Sequence, residues 1–186
     1  MRKLVLFMHT SLDGFVAGTK GEMDWIHVDE ELFDYAGNRT NEADLALYGR
    51  VTFEMMEGYW PTAADQPNAS RHDIEHSTWY NKVQKVVLSK TLDASKFKNT
   101  KVIGENLAKE VNQLKNDIGS EIIIFGSPSA GHSLMAENLI DEFWVFVNPI
   151  VLGQGIPMFK DKRMKLKLLK SKAMDSGVVC LHYARV

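Results

Sequence analysis

Residues 43–54 read ADLALYGRVTFE, and this stretch decides the fold. An apolar run of strand length ends at Gly49, and a helical pattern with acidic Glu54 in its first turn begins at once. A second junction of the same kind lies at 121–131, which reads EIIIFGSPSAG. Two apolar strands that each pass through a glycine into a helix indicate an α/β protein built on parallel strands.

The same alternation extends along most of the chain. It predicts strands over 3–9, 43–48, 85–88, 101–103, 121–125 and 141–147, and helices over 30–39, 51–57, 70–84, 106–117 and 129–138. Near the end, 165–168 and 178–183 alternate with period two around a turn at 175–177, which predicts an antiparallel hairpin. We therefore expect residues 1–186 to form one domain, with a mixed central sheet flanked by helices.

Composition excludes several classes of protein. The chain has 186 residues, of which 45% are hydrophobic, and its 22 Lys and Arg nearly balance 24 Asp and Glu. The net charge of −2, without a long basic block, argues against nucleic acid as a partner. The lone Cys180 argues against a disulfide framework and suggests the cytoplasm. Because no apolar segment reaches ~20 residues, we expect no membrane span.

Several well-known motifs are missing from the sequence. It lacks the G-x-x-x-x-G-K-[ST] phosphate loop, a G-x-G-x-x-G turn after a strand, the G-x-S-x-G elbow and H-E-x-x-H. His72 and His76 have the i, i+4 spacing of metal ligands on one helix face. A polar helix face explains the two histidines better, so we predict no metal site.

The junction at Gly49 has the features of an anion site. The amino end of the following helix offers unpaired N–H groups and the positive end of the helix dipole, and Gly49 allows close approach. Arg50 could add an ionic contact and Thr52 a hydroxyl donor. The alternative is an ordinary turn beside a solvated arginine.

The junction at Gly126 has the same features. Ser127 is a good N-cap and Pro128 suits the first helical position, with Ser129 beside it. A plain helix cap is the alternative. Two such sites at the carboxyl ends of strands in one sheet suit the pyrophosphate of a dinucleotide.

Two further segments belong to the same hypothesis. Ser89 and Lys90 follow the strand at 85–88 and could hold the 2′-phosphate of NADP, although a lysine there is also expected to be simply solvated. The Trp- and Pro-rich segment 58–68 cannot form a regular helix or a central strand, and is predicted to be a loop beside a pocket. Trp60 and Trp79 would either line that pocket or belong to the core.

Several segments together resemble the dihydrofolate-reductase-like superfamily. They are SLDG at 11–14 with Val16-Ala17, LYGRVTFE at 47–54, VLSK at 87–90, LIDEF at 139–143 and NPIVLGQG at 148–155. Their content and order are most similar to the C-terminal reductase domain of the bifunctional riboflavin-biosynthesis deaminase-reductase and its stand-alone relatives. The resemblance covers nearly the whole chain.

The resemblance implies NADPH lying across the strand ends of a mixed sheet. The implied cofactor-binding residues are Trp25, Gly49, Arg50, Thr52, Ser89, Lys90, Gly126, Ser127 and Ser129. Ser11 and Asp13 fall near the nicotinamide and the substrate. A homodimer is also implied, and the apolar C-terminal hairpin is compatible with one.

The resulting hypothesis is hydride transfer from NADPH to a polarised C=N or C=O bond of a small heterocyclic or sugar-like substrate. Asp13 is the first candidate to steer a proton, with Asp29 and Glu30 behind it, although Asp13 also suits a simple turn residue. The riboflavin reductase carries an acidic residue where this chain has Phe125. That departure leaves a non-catalytic, NADP-binding dimeric regulator or sensor as the alternative.

Overall fold

The computed structural model describes residues 1–160 and 163–186. Its strands are β1 (Lys3–Thr10), β2 (Phe15–Ala17), β3 (Leu45–Gly49), β4 (Gln84–Leu88), β5 (Thr100–Ile103), β6 (Glu121–Phe125), β7 (Glu142–Val147), β8 (Ile156–Pro157), β9 (Leu166–Ala173) and β10 (Val179–Arg185). Its α-helices are α1 (Glu30–Thr40), α2 (Arg50–Glu57), α3 (Arg71–Lys82), α4 (Leu107–Asn116) and α5 (Pro128–Ala136).

Eight strands form one mixed sheet in the order β5-β4-β3-β6-β1-β7-β10-β9. The first six of these are parallel to one another, whereas β10 and β9 run antiparallel at the far edge. The predicted α/β fold, with a mixed central sheet flanked by helices and an antiparallel C-terminal hairpin, is confirmed.

Alternate residues of the central strands fill two cores on opposite faces of the sheet. Leu4 and Leu6 of β1 pack into one cluster with the apolar residues of α4 and α5, whereas Val5 of β1 packs with Leu32 of α1. This is the period-two alternation of a strand covered on both faces, so β1 reads as a continuous apolar run.

Some boundaries differ from the predicted ones. Helix α3 ends at Lys82 rather than at 84, because Val83 has extended backbone and Gln84 already pairs in β4. The segment 58–68 contains a 3-10 helix, Trp60–Asp65, with Pro61 in its first turn. The two-stranded sheet of β2 and β8 was not predicted, since strands of three and two residues leave no readable periodicity.

Helix α1 runs antiparallel to β1 and so connects the two ends of the sheet. At the carboxyl end, the His27 N–H just before α1 donates to Asn148 Oδ1 after β7, at 2.9 Å. At the amino end, Arg39 in the last turn bonds Glu121 and Glu142, which begin β6 and β7. No helix within residues 1–160 and 163–186 is long and apolar enough to cross a bilayer.

Candidate functional site

The first turns of α2 and α5 line one cavity at the carboxyl end of the sheet, here called the α2–α5 cavity. Its volume is about 690 Å³. The residues predicted to bind the cofactor that line it are Gly49, Arg50, Thr52, Ser89, Lys90, Ser127 and Ser129. Residues 126 and 25 do not line it, although a Cβ placed on Gly126 would lie 3.9 Å from Thr52 Cγ2.

One hydrogen bond joins the two glycine turns. The Gly49 N–H donates to Ser127 Oγ at 3.0 Å, and the Ser127 hydroxyl donates to the Phe125 carbonyl at 3.0 Å. A Cβ on Gly49 would lie 3.4 Å from Ala130 Cβ and 3.6 Å from Ser127 Cβ, in ordinary van der Waals contact, so β3 and α5 are close neighbours here. The two junctions that the sequence showed separately are therefore one structural unit.

Ser127 is the N-cap of α5 by position, but it does not cap the helix through its side chain. The predicted start of the helix at Pro128 is confirmed, but the side-chain cap is not formed, because Ser127 has a left-handed φ of 56° and its hydroxyl is used by Gly49 and Phe125. Helix α2 is also without a side-chain cap. Two helix N-termini without side-chain acceptors on one cavity are an arrangement that binds anions.

Cationic and hydroxyl groups surround these helix ends. Arg50 Nη1 contacts both carboxylate oxygens of Glu54, at 3.0 and 2.9 Å, in an exposed pair. Lys90 is exposed. Ser89 Oγ accepts from the N–H groups of Thr91 and Leu92, each at 3.1 Å, and closes the turn after β4.

The cavity also has an apolar part that the sequence analysis missed. Leu88, Ile103 and Leu107 line it beside Ser89 and Lys90. The signal was present in Gly104, which comes directly after β5 much as Gly49 ends β3, and where a Cβ would lie 3.1 Å from the Ser89 carbonyl oxygen. Its strand is short, however, and only the pairing of β5 with β4 brings this segment to the cavity.

A model of the family described as the RibD C-terminal domain matches residues 2–180. The chain belongs to the RibD C-terminal domain family. The protein is 33% identical over 189 residues to the uncharacterised protein YyaP of Bacillus subtilis (strain 168), covering 98% of this chain and 94% of that one. It is 31% identical over 186 residues to the uncharacterised protein YwjB of the same organism, covering 99% and 98%.

Solved structures share the fold of this RibD C-terminal domain protein. A pyrimidine reductase-like protein from Corynebacterium diphtheriae superposes with a TM-score of 0.68 at 16% identity, over 100% of this chain and 92% of that one. A diaminohydroxyphosphoribosylaminopyrimidine deaminase/5-amino-6-(5-phosphoribosylamino)uracil reductase from Thermotoga maritima gives 0.66 at 15% identity, over 100% and 57%. The whole chain thus spans just over half of the bifunctional protein.

The two residues predicted to be catalytic lie together but outside the α2–α5 cavity. Ser11 Oγ donates to Asp13 Oδ1 at 2.6 Å, and the N–H groups of Leu152 and Gly153 donate to the same carboxylate at 3.1 and 2.8 Å. The Ser11 hydrogen bond is the main cause that lowers the pKa of Asp13. Asp13 is therefore an anion that joins the loop after β1 to the loop after β7.

The tryptophans have different surroundings. Trp25 is half-buried in the loop before α1, where its Nε1–H donates to the Glu22 carbonyl at 3.1 Å. Trp60 and Trp79 pack against the core cluster of β3, β4 and β6. Trp60 also lies with its ring centroid 4.2 Å from that of His76.

A second cavity of about 360 Å³, here called the α1–α3 cavity, separates helices α1 and α3. Phe33, His72 and His76 line it, with Phe33 stacked on His72. Burial lowers the pKa of His76 to about 3, so the ring is neutral at physiological pH. The described residues contain no group of three or more His, Cys, Asp or Glu placed to hold a metal ion.

Phe125 is the last residue of β6 and lines neither cavity. Its ring centroid is 6.0 Å from that of His76, and Ser127, two positions further along the chain, lines the α2–α5 cavity. It is 7% exposed and packs against Trp79 and Tyr48. The position at which the resemblance implies an acidic residue is thus filled by a buried aromatic side chain here.

Proposed function

We propose that this RibD C-terminal domain protein is an NADPH-dependent reductase that transfers hydride to a small heterocyclic substrate. The observation that carries the proposal is the Gly49–Ser127 hydrogen bond, because it holds two helix N-termini on one cavity beside Arg50 and Lys90. The name of the Thermotoga maritima protein, which includes a uracil reductase, supports the same class of reaction.

The residues of the α2–α5 cavity fit a phosphorylated dinucleotide. Helix N-termini of α2 and α5 suit a pyrophosphate, and Ser89 and Lys90 suit a 2′-phosphate. The apolar Leu88 and Leu107 beside them suit the adenine ring. The volume of about 690 Å³ lies within the ~300–1,000 Å³ range of small-molecule sites.

NADPH, when bound, supplies the hydride. The protein binds and orients the two reactants and excludes water from the site. Asp13 has its carboxylate oxygens engaged by Ser11, Leu152 and Gly153. We assign Ser11 and Asp13 a positioning role, in which they hold the two loops at the carboxyl end of the sheet. A proton-relay role for Asp13 stays a prediction, and the lowered pKa makes this carboxylate a weak proton donor.

Steady loss of NADPH absorbance in the presence of pterins, pyrimidines and flavins tests the proposal. We expect saturable NADPH binding in a fluorescence titration and turnover with at least one ring compound. Absence of NADPH binding would contradict the proposal outright. The variant Asp13→Asn should lower kcat with little change in NADPH affinity, because it weakens the contact between two loops outside the α2–α5 cavity.

Phe125 favours a second candidate function, a non-catalytic NADP-binding dimeric regulator. An apolar ring in place of an acid removes one group that could bond a substrate. The titration cannot separate the candidates, since both require binding. Tight NADPH binding without turnover across the panel favours the regulator, and turnover excludes it.

A further inference from the structure

Two residues of opposite charge follow neighbouring strands at one end of the α2–α5 cavity. Lys90 comes two positions after the end of β4, and Glu105 comes two positions after the end of β5. Both residues line the cavity. Because β4 and β5 are parallel and Leu88 pairs with Ile103, Lys90 and Glu105 follow the sheet at the same level.

Backbone contacts hold these two strand ends together. The Ser89 N–H donates to the Ile103 carbonyl at 3.0 Å. A Cβ placed on Gly104 would lie 3.1 Å from the Ser89 carbonyl oxygen and 3.7 Å from Lys90 Cα, so the missing side chain allows this close approach. Lys90 and Glu105 therefore border the same part of the cavity.

Neither of these charges is used within the fold. Lys90 and Glu105 are both exposed, and neither forms a hydrogen bond or ion pair with any residue that the structure describes. Arg50, which lines the cavity at the start of α2, is by contrast paired with Glu54. Both Lys90 and Glu105 are therefore available to a bound molecule.

NADPH and NADH differ only at the 2′ position of the adenosine ribose. NADPH carries a phosphate there, which an ammonium attracts and a carboxylate repels. NADH carries a hydroxyl there, which donates to an acidic side chain in doubly wound dinucleotide-binding folds. Lys90 thus has the chemistry that favours NADPH, and Glu105 has the chemistry that favours NADH.

From these observations we infer that Glu105 is a specificity-determining residue that opposes the 2′-phosphate, so that the α2–α5 cavity binds NADH as well as NADPH. The inference rests on the proposed function, since it assumes a nicotinamide dinucleotide in this cavity. It assigns a role to a residue outside the set that the resemblance implies. Glu105 acts on the choice between the two dinucleotides and not on the transfer of hydride.

Titration of the protein with each dinucleotide, followed by the fluorescence of the reduced nicotinamide, tests the inference. We expect the wild type to bind both, with NADPH no more than about tenfold tighter than NADH. Glu105→Gln removes the charge with almost no change in size. It should tighten NADPH about three- to fivefold and weaken NADH about two- to threefold, because repulsion of the phosphate and the bond to the hydroxyl are both reduced.

Three further variants serve as controls. Glu42→Gln makes the same charge change at an exposed glutamate before β3, at the amino end of the sheet, and should leave both affinities unchanged. Lys90→Gln should shift the ratio of affinities the opposite way, toward NADH. Glu105→Asp keeps the charge and should hold the ratio within about twofold of the wild type.

The salt dependence of binding gives a readout that a purely structural role of Glu105 would not change. Salt screens attraction and repulsion between exposed charges alike. In the wild type, the repulsion by Glu105 offsets part of the attraction by Lys90. NADPH affinity should therefore fall more steeply between about 0.05 and 0.5 M salt in Glu105→Gln than in the wild type.

The outcomes separate this inference from the proposed function. If NADPH binds the wild type more than about tenfold tighter than NADH, or if Glu105→Gln leaves the ratio and the salt dependence unchanged, the inference is overturned and the reductase proposal stands. If neither dinucleotide binds the wild type, the reductase proposal is refuted and the inference fails with it.

Discussion

The two ends of the central sheet handle charge in opposite ways. At the amino end, Arg39, Glu121, Glu142 and His182 form a closed network, in which Arg39 bonds Glu121 at 3.0 and 2.8 Å and Glu142 at 2.8 Å. At the carboxyl end, Arg50 pairs with an exposed glutamate, and the helices α2 and α5 lack side-chain caps. Charges satisfied within the fold stabilise it, whereas charges left open to a cavity can bind a ligand.

The largest loss of stability is expected from a substitution of Glu142, at the amino end of the sheet. Its side chain is 4% exposed and accepts from Lys3, Arg39 and His182, so Glu142→Ala leaves Arg39 without this partner in a largely buried site. We expect a loss of about 3–5 kcal/mol in the free energy of unfolding, measured with denaturant.

The control for this variant is Glu54→Ala at the carboxyl end. Its exposed pair with Arg50 should contribute no more than about 1 kcal/mol. Similar losses for the two variants would contradict the contrast between the ends of the sheet.

The pH dependence of stability sharpens the same contrast. Burial of Glu142 acts to raise its pKa, but hydrogen bonds from Lys3, Arg39 and His182 outweigh burial and lower it to about 2. The stability due to a lowered carboxyl pKa is present above the unfolded value of ~4.3 and is lost as the pH falls toward 2. Unfolding curves between these values should show the loss in the wild type and a weaker one in Glu142→Gln. If the stability of the wild type and of Glu142→Gln falls equally with pH, groups other than Glu142 cause the acid sensitivity.

A smaller effect is expected at the carboxyl end from Ser127→Ala. The variant removes the acceptor of the Gly49 N–H and the donor to the Phe125 carbonyl. Leaving a partly buried N–H unpaired should cost about 1–3 kcal/mol of stability and also weaken NADPH binding. Ser133→Ala, which removes an exposed hydroxyl bonded to the Ser129 carbonyl, should change stability by less than ~0.5 kcal/mol. Equal losses of stability in Ser127→Ala and Ser133→Ala would show that the Gly49–Ser127 hydrogen bond does not stabilise the fold more than an exposed one does.

The smallest effect is expected at Arg50. Arg50→Ala should weaken NADPH binding up to about fivefold, as expected of an exposed ionic contact, and NADH binding less. Glu54→Gln releases Arg50 from its ion pair and should leave NADPH binding unchanged or tighter. Titration of both dinucleotides measures the difference. An equal loss for NADPH and NADH would remove Arg50 from the neighbourhood of the 2′-phosphate.

Local sequence patterns predicted the parallel strands well because β1, β3 and β6 are buried on both faces. The apolar runs of β3 and β6 meet Gly49 and Gly126, and the helices α2 and α5 begin within one residue of the predicted positions. Gly49, Ser127, Lys90 and their neighbours were grouped correctly on one cavity for the same reason, since parallel strands place their carboxyl ends at one edge. Whether they bind NADPH stays a prediction.

The sequence by itself determined which segments form the strands of the central sheet, where the glycine turns lie and which helix ends carry polar groups, because these depend on neighbours along the chain. Only the tertiary structure decided that Ser127 bonds Gly49 across 78 positions and that Asp13 holds the loop at 152–153. Hydrogen bonds and charges between distant segments leave no periodic signal, since they depend on how the sheet and helices pack.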